Sequence, residues 1–217
     1  MKTAHWVTPI LGACAVAIAV ALSQTAAPRP SVTELREAAP TPAVTTTATN
    51  KIRAVHSPGT VAADMDLAAA QCHTVILDQT AGIVLPDPAC TPGAIDPAVT
   101  ETNLATTICR AGYTATIRPP AAETGRFKKE ALAAYGMQYR PTIEYDHKIP
   151  LELGGANSVS NLWPEPNTAT ARNVNNPKDQ VENTLNRAVC EHEVSLQAAQ
   201  IAINTNWSTA EHVLGLN

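Results

Sequence analysis

Asp146 and His147 stand side by side in the run Tyr145-Asp146-His147-Lys148-Ile149-Pro150-Leu151-Glu152-Leu153-Gly154-Gly155, and Asn161-Leu162-Trp163-Pro164 follows shortly after. A carboxylate next to an imidazole suits a hydrolysis that needs an activated water and a stabilised leaving oxygen. His147 can take a proton near neutral pH, which makes it the candidate general base. Asp146 offers a hard oxygen of the kind that magnesium or manganese prefers, with zinc as the alternative. A divalent ion held there would stabilise charge on a phosphoryl oxygen and help the leaving oxygen depart.

Two strands and a turn must position these groups. Neighbouring residues of a regular strand face opposite ways, so Asp146 and His147 can serve one phosphate only if the strand ends or bulges there. Pro150 and the Gly154-Gly155 turn make such a break expected. Asn161, opening the return strand, can bond backbone groups of the intervening loop and fix the histidine's approach. Leu151, Leu153, Leu162 and Trp163 are expected to anchor the hairpin in the core. A helix is predicted over Pro177–Cys190: Asn176 can cap it, Pro177 suits its first position, and Val181, Leu185, Ala188 and Val189 form its apolar stripe.

These residues do not stand alone. Downstream lie Lys178-Asp179-Gln180-Val181-Glu182, Ala188-Val189-Cys190, Ser195-Leu196, Ala199-Gln200 and Asn206-Trp207. Upstream lie Leu85-Pro86-Asp87-Pro88, Cys90-Thr91-Pro92-Gly93-Ala94, Thr107-Ile108-Cys109 and Arg118-Pro119-Pro120. Together, from Leu85 to Trp207, the chain resembles a group of secreted bacterial HNH endonucleases of the ββα-metal superfamily. The resemblance implies an α+β fold class, with a ββα-metal hairpin-plus-helix motif inside a small, disulfide-stabilised, largely helical domain. It implies that Asp146 is the first ligand of one divalent metal ion, His147 the general base, and Asn161 the asparagine that holds the loop. Family members place a His or Asn early on the final helix as second ligand. Here Asp179 or Asn175 is expected in that place, with Lys178 contacting phosphate and Glu182 orienting a ligand.

Simpler roles suit some of the same residues. A carboxylate in a helix's first turn, as at Asp179, stabilises the macrodipole without any metal. Lys178 and Glu182 are four apart, the spacing of an ordinary helix-surface ion pair. Glu144, Glu152 and Glu165 read as solvated rim charges, and His73, His192 and His212 as structural or surface residues.

The ends and the composition say where such chemistry would operate. Lys2 and His5 precede an apolar run from Trp6 to Leu22, followed by small residues; residues 1–27 read as a cleaved secretory signal, leaving no stable membrane insertion. Residues 28–59, rich in Ala, Thr and Pro, read as a disordered linker, and residues 60–217 as the nuclease-like domain with an N-terminal extension. A secreted or cell-envelope location follows. Cys72, Cys90, Cys109 and Cys190 favour disulfides over zinc, with three connectivities open; any bridge to Cys190 ties the Pro177–Cys190 helix to upstream chain. The net charge of -4 is unusual for a dedicated nucleic-acid binder, although Arg110, Arg118, Arg126, Lys128 and Lys129 can form a local basic patch.

Of the remaining segments, residues 61–70 loosely suit a helix, Val75 to Leu77 a strand and residues 85–94 a proline-stiffened loop. A short helix is predicted over Thr100 to Ile108, an extended segment over Tyr113 to Pro120, and helices over residues 124–135 and from Ser195 onward. The expected partner is DNA or RNA, cleaved with little sequence preference, since no helix-turn-helix or zinc-finger reader is evident. The rival expectation is a non-catalytic cell-envelope binding or structural module that keeps the HNH scaffold.

Overall fold

A computed structural model describes residues 51–167 and 176–216. The expected signal, most of the expected linker, and Asn175 lie outside the described residues. Residues 51–59, inside the segment read as linker, belong to the fold. Strand β1 (Arg53–Ala54) pairs in parallel with residues 94 and 95, and Ser57 is buried with its hydroxyl donating to the Asn157 carbonyl at 2.7 Å. The helix suggested for residues 61–70 does not form. Val61 packs instead with Phe127 and Leu162, Ala62 bridges Ser158, and the Asp64 carboxylate accepts bonds from the backbone and hydroxyl of Ser160. These distant partners outweigh a weak local periodicity.

Strands β2 (Val75–Asp78) and β3 (Ile83–Leu85) make an antiparallel ribbon, and β4 (Ala94–Ile95) closes onto β1. The helix expected over Thr100 to Ile108 shrinks to one 3-10 turn at Leu104–Thr106. Asn103 and Thr107 side chains bond nearby backbone groups there, which competes with helix continuation. The segment expected to be extended after Gly112 is helix α1 (Tyr113–Ile117). Gly112 enters it at φ 79, Pro119 and Pro120 stop it, and Arg118, preceding a proline, is extended. Helix α2 (Ala121–Ala134) follows and buries Phe127, Ala131, Leu132 and Ala134.

The hairpin consists of β5 (Ile143–His147) and β6 (Leu162–Pro166), antiparallel, with unbroken register from Ile143↔Pro166 to His147↔Leu162. Helix α3 (Pro177–Cys190) starts at Asn176, whose side chain accepts from the Asp179 backbone N–H. Helix α4 (Leu196–Asn206) starts at Ser195, and α5 (Ala210–Val213) closes the described chain. Ile149 and Leu153 from the hairpin loop meet Leu185 and Val189 of α3 and Ala199 and Ile203 of α4 in the main core. Burying each large side chain stabilises by roughly 1.5–3 kcal/mol, so the loop beyond His147 is fixed by its own leucine and isoleucine anchors.

The described residues form a mixed α+β fold with three two-stranded sheets and two disulfides, Cys72–Cys90 and Cys109–Cys190. No helix among the described residues is long and apolar enough to cross a membrane.

Candidate active site

The loop from Lys148 to Ser160 is gathered around one side chain. Asn161 is fully buried; its Oδ1 accepts from the backbone N–H groups of Ile149 at 3.0 Å and Ala94 at 3.3 Å. Its Nδ2 donates to the carbonyls of Ile149 at 2.9 Å and Ala156 at 3.0 Å. The amide thus uses its full bonding capacity on backbone. The closure is tight enough to demand glycine, since a Cβ on Gly155 would lie 1.7 Å from the Ile149 carbonyl oxygen.

Strand β5 does not break at His147, contrary to expectation: its ladder continues through Asp146↔Trp163 to His147↔Leu162. The Lys148 backbone N–H even extends the pairing to the Asn161 carbonyl at 2.7 Å. Asp146 and His147 therefore leave the strand on opposite faces. His147 Nε2 lies 2.9 Å from Asn157 Oδ1. The Asn157 amide is oriented by its Nδ2, which donates to the carbonyls of Ser57 at 3.0 Å and Ile117 at 2.8 Å. An oxygen faces the ring, so Nε2 carries the hydrogen in the neutral imidazole and Nδ1 keeps its lone pair.

Burial pushes the His147 pKa down to about 4, against the opposing pull of the Asp146 charge. The folded value lies below the ordinary 6.5, so the stabilisation is complete above pH 6.5 and is lost as pH falls toward 4. The loss amounts to about 3 kcal/mol on the usual conversion of pKa shift to free energy. Urea unfolding at pH 7 and pH 4.5 is expected to show this drop in the wild-type chain and a smaller one in His147→Gln. Equal drops in the two proteins would exclude the imidazole as the source.

On the other face, Lys178 enters from α3 and is only 1% exposed. Its Nζ donates to Asp146 Oδ2 at 2.5 Å, to the His147 carbonyl at 2.8 Å and to Glu182 Oε1, with Glu165 Oε2 at 3.9 Å. All three ammonium protons are committed, so the expected contact of Lys178 with phosphate is not available in this geometry. The alternative of a helix-surface pair with Glu182 fails too, because the pair is buried. Glu182, expected to orient a ligand, holds this ammonium.

Glu165 is not a rim charge: it is 2% exposed, and its Oε2 has no hydrogen-bond partner. Burial raises its pKa well above the ordinary carboxylate value, opposed by Lys178. Burial would also raise Asp146, yet the Lys178 ammonium holds it at about 2. Lys178, which burial alone would lower, is kept well above its ordinary value by Asp146, Glu182 and Glu165.

A pocket of 710 Å³ runs beside β5, between α2 and α3. Consecutive residues Ile143 to Asp146 line it, which places it along the strand's outer edge rather than on one face. Asp146, Glu152, Asp179 and Glu182 face this pocket, with Arg118 and Lys128 on its α1–α2 side. Glu152 Oε1 and Asp179 Oδ2 are buried without a hydrogen-bond partner. Burial raises the pKa of both, and the Asp146 charge adds to the effect at Asp179.

Oxygen-only donors with unpaired buried atoms match magnesium or manganese in kind, and contain no imidazole or thiolate suited to zinc. Among the described residues, no three His, Cys, Asp or Glu side chains stand close enough together to enclose an ion as they are. Asp146, Glu152, Asp179 and Glu182 are the residues that would hold one.

No protein-family model, no curated protein and no solved structure matches this chain.

The geometry therefore brings Asp146, Asp179 and Glu182 to one void and seats His147 behind it. Arg118, with its charge felt at His147 and its side chain in the pocket, stands near both groups. His73, His192 and His212 are exposed. The roles of Asn157 and Glu165 were not read from sequence. Asn157 lies in a turn where asparagine is common for backbone reasons, and the only signal for Glu165 was its position two residues beyond Trp163 on the return strand.

Proposed function

We propose that this protein is a secreted, metal-dependent phosphodiester hydrolase of the HNH type acting on DNA or RNA. One observation carries the reading: acids from β5 and from the helix after the hairpin share a single pocket, with Arg118 and Lys128 beside them. Guanidinium and ammonium groups at that position suit the negative oxygens of a phosphodiester. A bound magnesium or manganese ion would supply Lewis-acid stabilisation of the phosphoryl charge. Arg118 and Lys128 orient the backbone of the substrate, and His147, neutral at pH 7 with its lone pair at Nδ1, is the base in this reading, although it leaves β5 on the face opposite Asp146 and the water must reach it there. Asn157 keeps Nε2 protonated and the ring fixed, while Asn161 fixes the loop that follows the base. Two disulfides suit an oxidising compartment, in line with export through residues 1–27.

A second reading, a non-catalytic envelope module, is favoured by Lys178. Its ammonium already neutralises Asp146 and Glu182, so the scaffold is electrostatically complete without an added ion.

Plasmid nicking by the oxidised protein with magnesium or manganese decides between them. Nicking is expected in the wild type, lowered by about 100-fold or more in His147→Ala, as for loss of a general base. Equal nicking by both proteins removes His147 as the base. No nicking with any metal supports the envelope module.

A further inference from the structure

We propose that the nucleic acid taken by the acidic pocket is single-stranded, and that Tyr139 is the platform on which one of its bases stacks. The inference rests on the nuclease reading above and names its substrate class. Every other Phe, Tyr or Trp among the described residues is buried or half-buried, whereas Tyr139 is 69% exposed. It stands on the loop joining α2 to β5, and that loop is fastened at both ends. The Met137 N–H donates to the Leu132 carbonyl at 2.8 Å, and the Ile143 N–H to the Arg140 carbonyl at 3.0 Å.

Lys128 ties this ring to the pocket. Its Nζ lies 5.4 Å from the centre of the Tyr139 ring and donates to the Ile143 carbonyl, while its side chain lines the pocket together with Pro141 and Ile143. Tyr139 is not itself part of the wall; through Lys128 it stands at the rim, by the Ile143 end of β5. From Ile143 to Asp146 the strand rises about 10 Å. An aromatic ring, an ammonium and the acids that would hold a metal therefore succeed one another along one strand.

That order suits a chain in which bases and phosphates alternate. Lys128 and Arg118 meet phosphates in the pocket, and the ring takes the base of a flanking nucleotide. Arg140, exposed and next to Tyr139 in sequence, adds positive charge on the same loop. In a duplex the base faces are covered by their neighbours, so only an unpaired base can lie on the ring. Stacking accepts any base, because each has a π-face, which agrees with the absence of a sequence reader. A neutral glycan could lie on the same ring but would leave both cations of the wall without an anion.

The test is fluorescence-anisotropy titration of the oxidised full chain, in calcium and again in EDTA. The probes are labelled oligothymidylate of about 12 nucleotides, within the site size of single-strand binders, an abasic strand with the same phosphates, and the thymidylate–adenylate duplex. Thymidylate is expected to bind at least tenfold more tightly than the abasic strand, the size of one stacked base. Tyr139→Ala is expected to bring thymidylate down to the abasic level and to leave the duplex unchanged, and Tyr139→Trp to keep the wild-type affinity. Equal affinities for thymidylate and abasic strands in both conditions overturn the proposal without recourse to any variant. Thymidylate binding that survives Tyr139→Ala overturns it too, as does an equal loss for single strand and duplex. Saturable binding of chitotetraose, with none of any oligonucleotide, overturns it in favour of a glycan. Plasmid nicking separates the two readings: nicking without a contribution from bases removes the platform and leaves the nuclease, whereas base-dependent binding without nicking keeps the platform and removes the hydrolase.

Discussion

Lys178→Met is expected to destabilise the protein by about 3–5 kcal/mol at pH 8, the cost of removing one partner from a buried ionic cluster. The substituted side chain matches the lysine stem in length, so packing changes little and the effect is electrostatic. Asp146, Glu165 and Glu182 would remain buried without their cation. Without the ammonium, burial meets less opposition, which lifts Asp146 from its depressed value and Glu165 and Glu182 further above the ordinary one. A carboxyl group whose folded pKa lies above its unfolded value binds more protons in the folded state, so stability returns as pH falls. The deficit of Lys178→Met is therefore expected to be smaller at pH 5 than at pH 8. Chemical denaturation at the two values measures it, and a deficit independent of pH would mean that the cluster is held by packing rather than by charge.

Loss of the Cys109–Cys190 bridge is expected to cost more than loss of Cys72–Cys90. The bridged cysteines are 81 and 18 residues apart respectively. On the chain-entropy account the two contributions are about 4.5 and about 3.2 kcal/mol, since a longer closed loop restricts the unfolded chain more. The long bridge also fastens the C-terminal end of α3, and with it Lys178, to the segment before α1. Paired serine substitutions at each bridge, compared by thermal unfolding, are expected to give the lower midpoint for Cys109→Ser with Cys190→Ser. The reverse order would indicate strain or residual unfolded-state structure governing the outcome.

What could be read in advance depended on how local the cause was. Helix α3 is written in Asn176, Pro177 and an apolar stripe, all within about four turns, and α4 in Ser195 and its followers. The hairpin is written in Pro150, Gly154, Gly155 and the flanking apolar residues. Helix α1 was misread because Tyr113, Ala115 and Ile117 alternate like a strand, while the two prolines and the left-handed Gly112 that enclose a single helical turn act from outside it. The burial of Lys178 was invisible because four-residue spacing to Glu182 says which residues meet along a helix, not which way the helix faces. The partners that draw it inward, Asp146 and Glu165, lie on two different strands. The continuity of β5 through His147 was missed for the opposite reason: Pro150 and the glycines do bend the chain, but only after the ladder has extended to Lys148. Disulfide pairing is decided by tertiary proximity alone.

One further consequence lies in the backbone of β5. Among the described residues no strand lies along its outer edge, and such an edge offers a template on which another chain can pair. Here the Lys128 ammonium donates to the Ile143 carbonyl and the Lys178 ammonium to the His147 carbonyl, one at each end of the strand. A foreign strand would have to displace both cations, one of them from a buried cluster, before it could form its first ladder bonds. Lys128, which borders the acidic pocket, and the buried Lys178 thus act as gatekeepers against aggregation, leaving the trough open to a ligand that does not pair as a β-strand.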